Sequence, residues 1–214
     1  MIKTLIVSGG NVEEEEITHI YKNNKFNYII ASDGGLKILD KLNILPNYII
    51  GDFDSIDKEV LNKYTDSNIE IRKLNPEKDY TDTHMALKLA IELKSKDITI
   101  LGAIGTRMDH TIANIHILRE AIEKDIQCKI INNNNEIKLI NKTTIISKND
   151  KYKYISLIPI TTTVEGVTLT GFKYSLLNDS LKVGQSIGIS NEQMDNKGII
   201  DLKSGILILI QSKD

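Results

Sequence analysis

The chain has 214 residues, 41% of them hydrophobic, which is enough apolar content to fill one large core or two modest ones. Its formal net charge of −2, with lysines scattered among acids, offers no basic stripe and argues against non-specific DNA binding. The single cysteine, Cys128, excludes an internal disulfide and cysteine-rich zinc sites and fits a reducing compartment.

The opening run Met1–Gly10 is too short for a signal peptide or a membrane span and reads as a first strand, so a cytoplasmic enzyme is expected. Candidate strands follow at Thr4–Val7, Tyr28–Ala31, Tyr48–Ile50, Glu70–Lys73, Ile98–Leu101 and Lys129–Ile131. The acidic run Glu13–Glu16 reads as the wet face or first turn of a helix. Helical stripes are expected from Ile56, Val60, Leu61 and Tyr64, from Met85, Leu89 and Leu93, and from Ile112, Ile115, Leu118 or Arg119, and Ile122. Cys128 reads as a buried strand thiol, and Asn132–Asn135 as a turn between strands. From about Asn141 the helical period fades into Tyr152–Ile160, Thr163–Leu169, Gln185–Ser190, Gly198–Leu202 and Ile206–Gln211. The expected fold class is therefore α/β, in two domains. Residues 1–140 form a Rossmann-like, mostly parallel sheet flanked by helices, and 141–214 an antiparallel β-sandwich.

In such a sheet ligands bind beyond the carboxyl ends of the strands, where this sequence places its acids, bases and glycines. Ser8-Gly9-Gly10-Asn11 fits either a nucleotide-approach turn or a plain strand-to-helix turn. Asp33-Gly34-Gly35 follows the second strand, and Gly51-Asp52-Phe53-Asp54-Ser55 the third. If the chain stays extended there, Asp52 and Asp54 project to one side, and a paired carboxylate of that kind calls for a cation such as Mg2+. Asp54 or Ser55 also fits a helix cap.

Lys78 and Asp79 stand before a helix capped by Thr81 or Asp82, where free backbone N–H groups and a lysine make a phosphate site. His84 reads first as a helix residue. Gly102-Ala103-Ile104-Gly105-Thr106-Arg107-Met108-Asp109-His110 reads as a second phosphate or substrate loop. Arg107 is suited to clamp a phosphate, while Asp109 is suited to fix Arg107, accept a proton or cap the helix. His110 fits a helix start as well as a catalytic role, and no nucleophile partner for it is visible.

Taken in order, the segments at 33–35, 51–55, 78–82 and 102–110 resemble the thiamine pyrophosphokinase family, with its Asp-Gly-Gly, Gly-Asp-Phe-Asp-Ser, Lys-Asp-x-Thr-Asp and Arg-x-Asp-His segments. Ser156-Leu157-Ile158-Pro159, Gly171-Phe172-Lys173-Tyr174 and Gly188-Ile189-Ser190-Asn191-Glu192 extend the resemblance into the second half. It implies transfer of the terminal diphosphate of ATP to the thiamine hydroxyl, giving thiamine diphosphate and AMP. By the same resemblance Asp52, Asp54 and Asp79 would hold Mg2+, and Lys78 and Arg107 would offset phosphate charge. Asp82 or Asp109 would accept the proton. Asp33, Gly34, Gly35, Gly102, Gly105, Arg107 and His110 would line the nucleotide. Ser190 and Asn191 would contact thiamine in a homodimer, where the first domain meets the second, and Asp109 is a further candidate for that contact.

Two departures stand out: Gly105-Thr106 replaces a second glycine pair, and the chain has no tryptophan to stack on thiamine. The competing readings are another Mg-dependent pyrophosphokinase or nucleotidyl transferase, and a catalytically silent sensor of nucleotide or thiamine. Acceptor choice separates the first, and absence of AMP production the second.

Overall fold

The computed structural model describes residues 1–53, 63–64, 69–74 and 79–214. The chain divides into two compact units, Met1–Asn133 and Asn134–Asp214. In the first, β1 (Lys3–Val7), β2 (Tyr28–Ser32), β3 (Tyr48–Gly51), β4 (Glu70–Lys73), β5 (Asp97–Leu101) and β6 (Gln127–Asn132) pair in parallel in the order β4-β3-β2-β1-β5-β6. The apolar, β-branched runs of the inner strands suit cover on both faces, whereas the edge strand β4, Glu-Ile-Arg-Lys, has no buried residue. Each candidate strand of this half is present.

Alternation along the strands sorts the core. Leu5, Val7, Ile29, Ala31 and Ile49 join one cluster with residues of α1 (Glu14–Asn23) and α2 (Gly35–Lys41). Thr4, Ile6 and Ser8 therefore face the other way. The bonds Thr4 Oγ1···Ser95 Oγ, 2.6 Å, and Ser8 Oγ···Thr83 Oγ1, 3.0 Å, show that α3 (Asp82–Glu92) packs on that opposite face. The sheet is doubly wound, as expected.

Two local results differ from the sequence pattern. Helix α2 carries no signal in that pattern, because it spans only 7 residues and starts from Gly34 without a side-chain cap. In α4 (Met108–Ile122) the inward face is Thr111, Asn114, Leu118 and Ala121, and Ile112 of the expected stripe is 52% exposed. The inward polar pair bonds loop backbone, as described below. Of the stripe ending at Tyr64, residues Ile56, Val60 and Leu61 lie outside the described residues. Tyr64 itself is buried and donates to Asp40, 2.8 Å.

In the second unit β13 (Leu207–Ser212) pairs antiparallel with β7 (Asn135–Ile140) and β9 (Tyr154–Pro159). A second antiparallel sheet runs β11 (Leu176–Lys182), β10 (Thr163–Thr170), β12 (Lys197–Asp201) and β8 (Thr144–Ser147). Val164, Val167, Leu169, Ile200, Leu207 and Leu209 fill the core between them. The unit division falls at 133/134 where the sequence suggests 140/141, since β7 takes β13 as its ladder partner. Strands β7, β8 and β11 are additions to the sequence reading. In β11 the central Asn178-Asp179-Ser180 is polar and β11 lies at a sheet edge, so no apolar alternation marks it.

The expected strand at Gln185–Ser190 is instead a series of turns. Gln185 N donates to Lys182 O at 3.1 Å, Ile189 N to Ser186 O at 3.3 Å, and Ser190 adopts φ 56°, a left-handed conformation outside the extended range. The turn expected at Asn132–Asn135 is present at Asn133–Asn134.

Leu5 is 0% exposed in the first core and Leu177 is 85% exposed on β11. In denaturant titrations Leu5→Ala is expected to cost about 2–5 kcal/mol, and Leu177→Ala less than about 0.5 kcal/mol.

Candidate active site

Chain order reverses direction between β1 and β5: β2, β3 and β4 are laid down to one side of β1, and β5 and β6 to the other. That switch point opens a crevice outside the carboxyl ends of the strands. Because all six strands are parallel, the loops after β1, β2, β3 and β5 and the starts of α3 and α4 gather along this edge.

Backbone contacts fix the loops after β1 and β5 to one another. Ser8 N donates to Leu101 O and Gly10 N to Gly102 O, each at 2.8 Å, and Asn11 N to Ile104 O at 3.0 Å. Gly102 takes φ +68°, and a Cβ there would stand 2.1 Å from Ser8 O. Gly35 begins α2 so tightly against β1 that a Cβ would fall 2.0 Å from Val7 O. These two glycines are required by the fold itself. Gly105 is different: a Cβ there would meet nothing nearer than 3.8 Å, so its surface is open to close approach.

After β2, Asp33 adopts φ 46° and donates its N–H to Ile50 O at 2.8 Å, tying the Asp33-Gly34-Gly35 turn to β3. Beneath it, Ser32 Oγ is buried without a hydrogen-bond partner among the described residues. After β3, Asp52 is half-buried and Phe53 takes φ 65°, turning its ring into the core. The chain is thus not extended through Asp52-Phe53, and simple alternation does not set the direction of the Asp52 carboxylate. Asp54, Ser55 and Lys78 lie outside the described residues.

Asp79 and Tyr80 lead into α3, where Thr81 is the cap, its Oγ1 accepting from His84 N at 3.2 Å. Asp82 occupies the first turn. His84 pairs with Glu120 on α4, Nε2 to Oε1 2.8 Å, which explains it without a ligand.

The loop after β5 hangs from the inward face of α4. Thr111 Oγ1 accepts from Gly105 N at 3.2 Å and lies 3.3 Å from Gly105 O, and Asn114 Nδ2 donates to Ala103 O at 2.8 Å. Neither residue is among the sequence candidates. The available signal is two polar residues three apart, continuous with Leu118 and Ala121 on one helical face.

At the start of α4, Arg107 and Asp109 form an exposed two-point pair, Nη2–Oδ2 2.7 Å and Nε–Oδ1 3.3 Å, and His110 N donates to Asp109 Oδ1 at 2.9 Å. The hydrogen bonds from Arg107, then that from His110, hold the Asp109 carboxyl below the usual carboxylate range. Of the three roles open to Asp109, the geometry displays fixing Arg107. Cys128 shows the opposite shift: burial first, and then the Asp97 charge, push its thiol up, away from reactivity.

In the second unit Ser190 is exposed and its N–H donates to Ser156 Oγ at 3.0 Å. Asn191 is buried, and its carboxamide is a latch: Oδ1 accepts from Tyr174 N, 3.0 Å, and Glu192 N, 2.9 Å, while Nδ2 donates to Tyr174 O, 2.7 Å. Among the described residues, no three His, Cys, Asp or Glu side chains gather as a metal cluster.

Two family models match the chain: thiamin pyrophosphokinase, catalytic domain, over residues 20–130, and thiamin pyrophosphokinase, vitamin B1 binding domain, over 142–207. Thiamine pyrophosphokinase of Bacillus subtilis (strain 168) is 34% identical over 186 residues, covering 86% of this chain and 87% of that protein. Thiamin pyrophosphokinase 1 of Caenorhabditis elegans is 26% identical over 200 residues, covering 88% and 80%. Among solved structures, the B. subtilis thiamine pyrophosphokinase superimposes with TM-score 0.90 at 31% identity, over 99% of both chains. The thiamin pyrophosphokinase of Geobacillus thermodenitrificans gives 0.86 at 29%, over 100% and 98%.

The two kinds of glycine predict opposite outcomes. Gly102→Ala is expected to lose more than about 2 kcal/mol of stability in chemical denaturation, from left-handed strain plus the clash with Ser8. Gly105→Ala should stay within about 1 kcal/mol.

Proposed function

The chain belongs to the thiamin pyrophosphokinase family, and from that membership we propose which of its residues carry each part of the reaction. Its activity is that of a thiamine pyrophosphokinase, an enzyme that moves a diphosphate group from ATP to the hydroxyl of thiamine, giving thiamine diphosphate and AMP. The observation that carries the assignment of roles is the gathering of the expected segments along one edge of the parallel sheet, at its switch point.

Asp52 and Asp79 are hard oxygen donors on that edge, and with Asp54 they form the donor set proposed for Mg2+. Two or three carboxylates suit Mg2+ bound with ATP, because phosphate and water oxygens complete its octahedron and no all-protein cage is needed. When bound, the ion would neutralise phosphate charge and orient the oxygens around the β-phosphorus.

The protein's own groups do the rest. Arg107, already oriented by Asp109, is proposed to offer its guanidinium to the ATP phosphates, and Lys78 to act with it on charge growing at the leaving oxygen. Asp33, Gly34, Gly35, Gly102, Gly105 and His110 are proposed to frame the nucleotide, with Gly105 offering the open backbone surface. Both oxygens of Asp109 are engaged by Arg107 and His110. Asp82, in the first turn of α3, and Asp109 are the two proposed acceptors for the proton of the thiamine hydroxyl. Ser190, exposed on its strained turn, is proposed to contact thiamine, and Asn191 to act through the Tyr174 loop that it holds.

The proposal extends to a homodimer in the cytoplasm. In support of the dimer, the second unit exposes Leu177, Val183, Ile187, Ile189 and Met194.

Incubation with ATP, Mg2+ and thiamine is expected to yield AMP and thiamine diphosphate in equal amounts, read by chromatography, with no product when any one component is omitted. Thiamine-independent AMP, or none, would overturn the reading. Asp52→Asn is expected to lower kcat by about 100-fold or more with the melting temperature unchanged. Of Asp82→Asn and Asp109→Asn, the variant with the larger fall in kcat identifies the base, and Asp109→Asn should in addition raise the KM for ATP as Arg107 is released.

A further inference from the structure

Tyr80 lies between the two acids of Asp79-Tyr80-Thr81-Asp82. It is 46% exposed, yet its ring is held from two sides by α3. The His84 ring meets it edge-on with centroids 4.8 Å apart at 74°, and Lys88 Nζ stands 4.7 Å from its centroid. Both of those residues are gripped in turn by one carboxylate on the neighbouring helix, since Glu120 Oε1 is 2.8 Å from His84 Nε2 and 3.3 Å from Lys88 Nζ. One oxygen on α4 thus closes a chain of contacts that ends on an aromatic ring flanked by two functional carboxylates. Burial works to raise the Glu120 carboxyl, but bonds from His84 and Lys88 outweigh it and the group is lowered, so it stays ionised.

Thr81 already caps α3, and the ring of Tyr80 is too exposed to add much to the core. A ring caught between an imidazole edge and an ammonium gains about 0.5–1 kcal/mol from each contact. That is little for global stability but enough to restrict a short segment ahead of a helix.

We propose that Glu120, His84 and Lys88 are positioning residues that clamp Tyr80 and thereby hold the backbone of Asp79 and Asp82 at the catalytic edge. The clamp rests on the reading that Asp79 serves the metal-bound nucleotide, and it acts through backbone order, not through contact with substrate.

Two readouts test it on the full chain. Amide hydrogen exchange of the 79–84 segment, measured without metal, is expected to accelerate about 10-fold in Tyr80→Leu and in Glu120→Gln. In the double variant the effect should be no larger than in the stronger single one, because both break one chain of contacts. Mn2+ binding with a non-hydrolysable ATP analogue, followed by electron paramagnetic resonance, should weaken about 5–10-fold in both, while the KM for thiamine changes less than about twofold. Tyr80→Phe keeps the ring and should restore both readouts. Should Tyr80→Leu not fold, His84→Gln makes the same test.

Unchanged exchange in folded variants, or additive effects in the double variant, would overturn the clamp. Asp79→Asn separates the two readings: Mn2+ binding that survives it removes the metal role of Asp79, while the exchange data still decide whether the clamp orders the segment.

Discussion

The backbone contact between the loops after β1 and β5 is the constraint on which the site depends. Parallel strands on either side of a switch point diverge in their connections, and without a tie their loops would leave the crevice ill-defined. Here the ladder continues past the strand ends, through Gly10 N to Gly102 O and Asn11 N to Ile104 O. The approach leaves no room for a Cβ at Gly102, where φ is +68°. Both strand ends are thereby locked to each other before any ligand arrives, which is the preorganisation that charge stabilisation in phosphoryl transfer requires.

Helix α4 then serves the edge at several points along its length. Its first residues and the preceding cap present the Arg107–Asp109 pair, its inward Thr111 and Asn114 suspend the loop after β5, and Glu120 reaches α3. A helix with a purely apolar inward face would have packed as well on the sheet. Two polar residues on that face give up burial energy for bonds that fix Ala103 and Gly105. The second unit repeats the device on a smaller scale, with the buried Asn191 carboxamide holding the backbone of Tyr174.

Much of the fold is legible in the sequence because its cause is local. Five of the six parallel strands contain short apolar runs, the exception being the edge strand β4, and Thr81 advertises the start of α3 by its chemistry. Elements whose cause is non-local leave no such trace. Strand β11 is polar at its centre and exists because β10 offers a ladder, and α2 is a single short helix that forms where Gly35 meets the backbone of Val7. Gln185–Ser190 misleads in the other direction, since its apolar alternation is overridden by turn bonds and by the left-handed Ser190.

The sequence by itself determined the family and the reaction class, because acids, bases and glycines in a fixed order after strands need no geometry to be recognised, and the similarity to known thiamine pyrophosphokinases agrees with that reading. It also determined that the segments share one edge, since parallel strands put all their following loops on the same side. Only the tertiary structure decided what individual residues do there. Gly102 and Gly35 answer first to neighbouring backbone, Asp109 to Arg107, and His84 to Glu120. The physical reason is the range of the forces involved. Propensity and periodicity act over a few residues along the chain, whereas hydrogen bonds and steric limits act over a few ångströms of space between segments that the sequence keeps far apart.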